Sequence, residues 1–267
     1  MSNYTFWINE YRIRRATLDD EWQAEMLPLI NDMYWHPFRD GVRNAPEDPA
    51  ELRAWLSDKY DDAVVLALLM QLLQRRSRDA YKLGGETALR FLGYRNEFEL
   101  SNAEIQQQID AFAMALVSQG TEYSIVDTTI DDLVAALPAA RESENNTLLV
   151  LAAYIAMRAA QRNEMIERSE RPRWVANAQD ETYSRNDIEY MMYDVAGVGC
   201  PRICAPWHGT VTRGGAQTIR LIPQHPHCDC IWTPVRYDGE VLGSPPVVVS
   251  APGLPQWQAP VEPWTGE

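Results

Sequence analysis

Cysteine is missing from the first 199 residues of this 267-residue chain, and all four cysteines fall between positions 200 and 230. That excludes a disulfide framework spread along the chain, of the kind that staples small secreted domains. An excess of basic residues is missing as well. With a net charge of −14, the surface is not built to neutralise phosphates, because nucleic-acid affinity rests on clustered Lys and Arg. No apolar run approaches the roughly 20 residues of a membrane helix. The best stretch, AVVLALLMQLL at 63–73, leads straight into QRRSRD. The opening MSNYTFWINEYRIRR lacks the basic-then-apolar order of a secretory signal. Several catalytic signatures are absent too. There is no H-x-E for a zinc deaminase, no H-E-x-x-H for a zinc protease and no Walker loop. The expectation is a soluble, intracellular protein, not an enzyme, with no membrane association and no direct nucleic-acid specificity.

What is present reads as globular, with hydrophobic content of 46% and charged content of 23%. The length suffices for one or two domains with a real core. Helical patterning dominates the first part. The spacing predicts a helix over 18–34, ended by Pro37 and Gly41. Asp48 as N-cap with Pro49 at the first helical position starts another. Leu66, Leu69, Met70 and Leu73 mark a helix over 61–82, which Gly84-Gly85 should end. Ser101 and Glu104 form a capping box for a helix closing at Gly120. Further helices are expected over 127–140 and over 145–171, the latter stopping before Pro172. Beyond about 185, short β-like runs appear at 188–195, 218–222, 230–237 and 246–250. Residues 244–267 hold six prolines, which favours an extended arm. Trp257 and Trp264 are its candidate partner-binding anchors.

The expected fold class is therefore α+β. A helical region (1–144) precedes a small cysteine-rich α+β domain (145–243) and an extended proline-rich C-terminal arm (244–267).

The chemistry concentrates in GCPRICAPWHG (199–209) and HPHCDC (225–230). Cys200 and Cys204 form one doublet, Cys228 and Cys230 a second, across a loop containing Gly209, Gly214 and Gly215. Paired sulfur doublets across a loop are how proteins build tetrahedral zinc sites. Cys228-x-Cys230 on a strand would aim both sulfurs to one side. His225 and His208 are alternate ligands. Arg202, Arg213, Arg220 and Arg236 would offset thiolate charge. One structural Zn2+, a disulfide, and buried cysteines in a small core stand side by side as readings. Trp207 and Trp232 are expected to pack over the sulfurs. Cys204 and His208 could form a nucleophile–base pair, but the sequence shows no orienting third group.

One run of short elements carries a family resemblance. IERSE (166–170), ANA (176–178), EYMMYDVAG (189–197), CPRIC (200–204), WHGTV (207–211), HPHCDC (225–230) and IWTPV (231–235) follow one another in order. This series resembles the phage head morphogenesis family, the minor head proteins similar to the F protein of phage Mu. That family carries an I-A-R-T-E helix, an A-x-N-A-like stretch, a C-P-x-C doublet and a closing H-P-x-C-R-C. The resemblance covers about 75 residues of the chain. The first doublet here has one residue more than the family's, and Asp229 replaces its arginine.

The resemblance implies a structural protein of the virion, at the portal vertex or capsid interior, found in the host cytoplasm during assembly. It would act in assembly or genome delivery. Its partners would be the portal and/or major capsid protein, with several copies per particle. Arg168, Glu170 and Asn177 are the motif residues on the preceding helix. Two other classes remain open: a Cys/His-centred zinc enzyme or toxin-like module, and a helical adaptor that binds through its C-terminal arm.

Overall fold

A computed structural model describes residues 3–60, 64–94, 98, 103–121, 124–143, 147–195, 203–213, 228 and 230–235. The expected strands at 218–222 and 246–250, the proline-rich arm and the Ser101 cap lie outside the described residues. Within them the chain is α+β. Six helices, α1 (Asn3–Trp35), α2 (Pro49–Tyr60), α3 (Val64–Phe91), α4 (Ala103–Val117), α5 (Ile125–Glu142) and α6 (Thr147–Arg185), precede a three-stranded antiparallel sheet. Its strands are β1 (Tyr190–Val195), β2 (Val211–Arg213) and β3 (Cys230–Val235), in the order β2-β1-β3. No helix among the described residues is long and apolar enough to cross a membrane.

Local signals account for several helix ends. The Asp48 carboxylate accepts the N–H groups of Ala50 and Glu51 at 2.9 and 3.0 Å, so it caps α2 as its sequence position indicates. Ser124 caps α5 by accepting the Asp127 N–H at 2.9 Å. Helix α1 begins 15 residues before the expected start at 18. Its buried stripe explains this: Ile8, Tyr11 and Leu18 continue the helical spacing of Trp22, Met26, Ile30 and Met33 back toward the terminus. Pro28 lies inside α1 but is exposed, as is Ala24, whose carbonyl loses its partner. Water can satisfy that oxygen, so the helix tolerates the proline.

The chain forms two compact units. One comprises residues 21–76 and 102–166. Its core joins Trp22, Met26 and Ile30 of α1, Leu52 and Leu56 of α2, Leu69 and Leu73 of α3, and apolar residues of α4, α5 and α6. A polar hub sits within it. Asp132 of α5 accepts hydrogen bonds from the Tyr34 hydroxyl and from Arg158, each at 2.5 Å, with Arg162 at 3.7 Å. The carboxylate is thus buried with its charge matched, without which burial would be costly.

The other unit comprises residues 1–20, 77–101 and 167–267. Two expected helix ends do not occur here. Helix α3 runs through Gly84-Gly85 to Phe91, and α6 runs through Pro172 to Arg185. The reason for the first is spatial. A Cβ on Gly84 would lie 2.3 Å from the Val175 carbonyl oxygen and 2.8 Å from its Cα, and one on Gly85 would strike the Phe98 ring at 2.4 Å. These glycines are sites of close approach in the middle of a helix, not its terminators. The second has an energetic reason. A proline inside a helix costs about 3 kcal/mol. The segment beyond it buries Trp174, Val175 and Tyr183, and each large apolar side chain contributes roughly 1.5–3 kcal/mol. Packing therefore outweighs the proline.

In an unobstructed helix Gly84→Ala would gain about 1 kcal/mol. Here we expect a loss of about 1–3 kcal/mol from overpacking. Thermal or urea unfolding of the full chain measures it, and a stabilised variant would refute the close approach.

Candidate metal centre

Strand register builds the site. β1 is central and pairs with β3 as Tyr193↔Trp232 and Val195↔Cys230. Residues at alternate positions share a face, so Met191, Tyr193, Cys230 and Trp232 lie on one side and Asp194 and Thr233 on the other. The first side packs with Ala176 and Tyr183 of α6, Ala88 of α3, Cys204 and Cys228 into one small core. Trp207 packs against the same core, so both tryptophans share one small core with the sulfurs, as expected from sequence.

Helix α6 fixes β3 in place. The Gln179 side-chain oxygen accepts the Trp232 backbone N–H, and the Tyr183 hydroxyl donates to the Trp232 carbonyl, both at 3.0 Å. The segment before β2 brings in Cys204. It forms a single 3-10 turn over Ala205–Trp207 and reverses at Gly209, whose φ of 82° is open to glycine at little cost. Gly209 then donates its N–H to the Tyr193 carbonyl, and Tyr193 donates its own to the Thr210 carbonyl, both at 2.9 Å.

The result is three buried sulfurs, those of Cys204, Cys228 and Cys230, all within 4.8 Å of one another. Cys204 and Cys228 Sγ lie 3.9 Å apart. A disulfide requires about 2.05 Å, so these two are not bonded. In a tetrahedral site with metal–sulfur bonds of about 2.3 Å, sulfurs stand about 3.8 Å apart. The observed separation matches that edge. Burial and the neighbouring Cys228 push the Cys204 thiol up to about 11. The Cys228 hydrogen bond and burial push Cys230 up as well. Without a cation Cys204 and Cys230 are therefore held as thiols, which are poor nucleophiles. A soft or borderline cation would replace those protons. The donor set fits a metal ion.

Cys200 and His225, the other members of the expected ligand set, lie outside the described residues, as do Arg202, Arg220, Asp229, Arg236, Trp257 and Trp264. His208 is placed elsewhere than at the sulfurs. Its Nδ1 lies 3.4 Å from Asp194 Oδ1, and Asp194 also accepts a hydrogen bond from the Thr233 hydroxyl at 3.2 Å. Asp194 is the orienting group for His208 that the sequence did not reveal, because the two are 14 positions apart and meet only through the sheet. Cys204 belongs to the opposite side, facing Cys228. Arg213 is exposed and paired with Glu189.

The motif residues of α6 divide by environment. Asn177 is exposed. Arg168 lies 3.9 Å from Glu167. Glu170 is buried, with Arg173 3.0 Å away. A second buried pair lies beside it, where Arg171 donates to Glu167 at 3.0 Å and reaches Asp19 at 2.7 Å. Burial pushes both Glu167 and Glu170 up to about 7. Periodicity could have flagged Glu167 and Glu170 as inward-facing, since they share a stripe with Ile155, Ala159 and Asn163.

No family model, no curated protein and no solved structure matches this chain.

The raised Glu170 has a defined pH consequence. A carboxyl held above its unfolded value stabilises the fold at low pH, and that contribution is lost as pH rises from about 4.5 to about 7. Glu170→Gln should therefore be more stable than wild type at pH 8, by about 1–3 kcal/mol, with the gap closing toward pH 5. Urea titrations across that range test this, and an offset that does not vary with pH would count against it.

Proposed function

We propose that the chain is a structural minor head protein of a tailed phage or prophage. In this reading it acts at the portal vertex or capsid interior in assembly or genome delivery. The observation that carries the reading is the ordered run from IERSE to IWTPV. Three segments of that run contribute to the sheet. EYMMYDV supplies β1, WHGTV the turn into β2, and CIWTPV β3, with the cysteines where these meet. The partners in this reading are the portal and the major capsid protein, present with several copies of this chain per particle.

Within the same reading the cluster holds one structural Zn2+. Cys204, Cys228 and Cys230 would supply three of the four tetrahedral donors. The ion would contribute cross-linking of β3 to the turn before β2. The chain's own residues would do the rest: Gln179 and Tyr183 hold β3, and Trp207 and Trp232 exclude water.

Quantitative mass spectrometry of purified particles tests the assignment. Peptides of this chain are expected in procapsids and mature particles, many-fold fewer than those of the major capsid protein. Their absence from both would reject it. Metal analysis tests the ion separately. The purified chain should carry about one zinc, lost in Cys228→Ser and Cys230→Ser, and chelation should lower its melting temperature. A zinc-free wild type whose stability is untouched by either substitution would reject the metal.

A further inference from the structure

Tyr193 stands on the central strand, 1% exposed, and its buried hydroxyl has no hydrogen-bond partner among the described residues. A buried O–H without a partner costs about 1–3 kcal/mol, so its position calls for an explanation. The residue is held tightly. Its backbone is tied to Gly209 and Thr210, and its ring meets Trp232 edge-on at 5.6 Å and 87°. By register it faces the same side as Cys230 and Trp232, in one core with Cys204 and Cys228. A neutral thiol is a weak acceptor for that hydroxyl. A thiolate is a strong one, since hydrogen bonds to ionised acceptors are roughly twice as strong.

We propose that Tyr193 is a positioning residue of the metal centre, donating its hydroxyl to a cysteine thiolate once a cation is bound. The inference rests on reading the cluster as a metal site. Three thiolates around a divalent ion leave net negative charge in a buried place. Arg213, the described member of the arginine set expected to offset it, is exposed and engaged with Glu189. The Tyr193 hydroxyl supplies that compensation from within the core, as outer hydrogen bonds do at metal sites generally. No covalent step is involved. The hydroxyl keeps its proton and gains an acceptor.

Titration of the full chain with Co2+ tests this, because sulfur-to-cobalt charge transfer reports directly on the thiolates. Tyr193→Phe keeps the ring and removes only an atom that has no partner, and circular dichroism checks that its fold is retained. Its Co2+ affinity is expected to fall about 10-fold or more. Its charge-transfer band should move to longer wavelength, because the sulfur lone pairs lose a stabilising donor. In wild type, Co2+ should also produce a tyrosine ultraviolet difference band that the variant lacks. A purely structural tyrosine would move neither band. Equal affinity and an unshifted band in Tyr193→Phe would overturn the inference while leaving the metal centre intact. A wild type that shows no sulfur–cobalt band would overturn both.

Discussion

Between Gly84 of α3 and Val175 of α6 there is no room for a side-chain carbon, and much of the sulfur-bearing unit depends on that contact. Backbone-to-backbone packing lets α6 continue past Pro172 with Trp174, Val175, Ala176 and Ala178 buried. The continued helix brings Gln179 and Tyr183 to the backbone of Trp232. Trp232 in turn sets the register that places Cys230 opposite Val195. The sulfur cluster is thus positioned by a chain of contacts that begins at a residue with no side chain. An atom added at position 84 would be felt first in helix packing and only then at the cysteines.

Buried charge is the second constraint, and the two units meet it differently. Asp132 is surrounded by donors, with Tyr34 and two arginines on one carboxylate. Glu167 of α6 and Asp19 of α1 share Arg171, so two acids compete for one buried cation. Among the described residues, Glu170 has the half-exposed Arg173 3.0 Å away. Burial lifts the two α6 acids toward neutrality, as expected where desolvation exceeds the attraction of the available partners.

Much of this was legible in the sequence, for local reasons. The Asp48 cap, the change of texture after 185, and the strands holding EYMMYDV and CIWTPV depend on neighbours in the chain. So does the packing of two tryptophans around closely spaced cysteines. What was not legible depends on distant partners. Gly84-Gly85 and Pro172 look like stop signals to any local rule, and only Val175, Phe98 and the buried face beyond Pro172 show why they are not. Asp194 could not be assigned to His208, since nothing in sequence marks a cross-sheet neighbour. Tyr193 was visible only as a strand residue. Its relation to the sulfurs requires the pairing with Trp232.

Strand β3 lies at the edge of the described sheet, where an exposed row of donors and acceptors would invite another strand. Trp232 and Pro234 fall at alternate positions along it. The outward N–H and C=O of Trp232 are both taken by α6 side chains, and Pro234 has no N–H to offer. Along this described edge, Trp232 and Pro234 therefore leave no free N–H. A strand docking on that side would meet a Trp232 whose N–H and C=O are already bonded and a Pro234 without an N–H, so association there would rely on side chains more than on backbone.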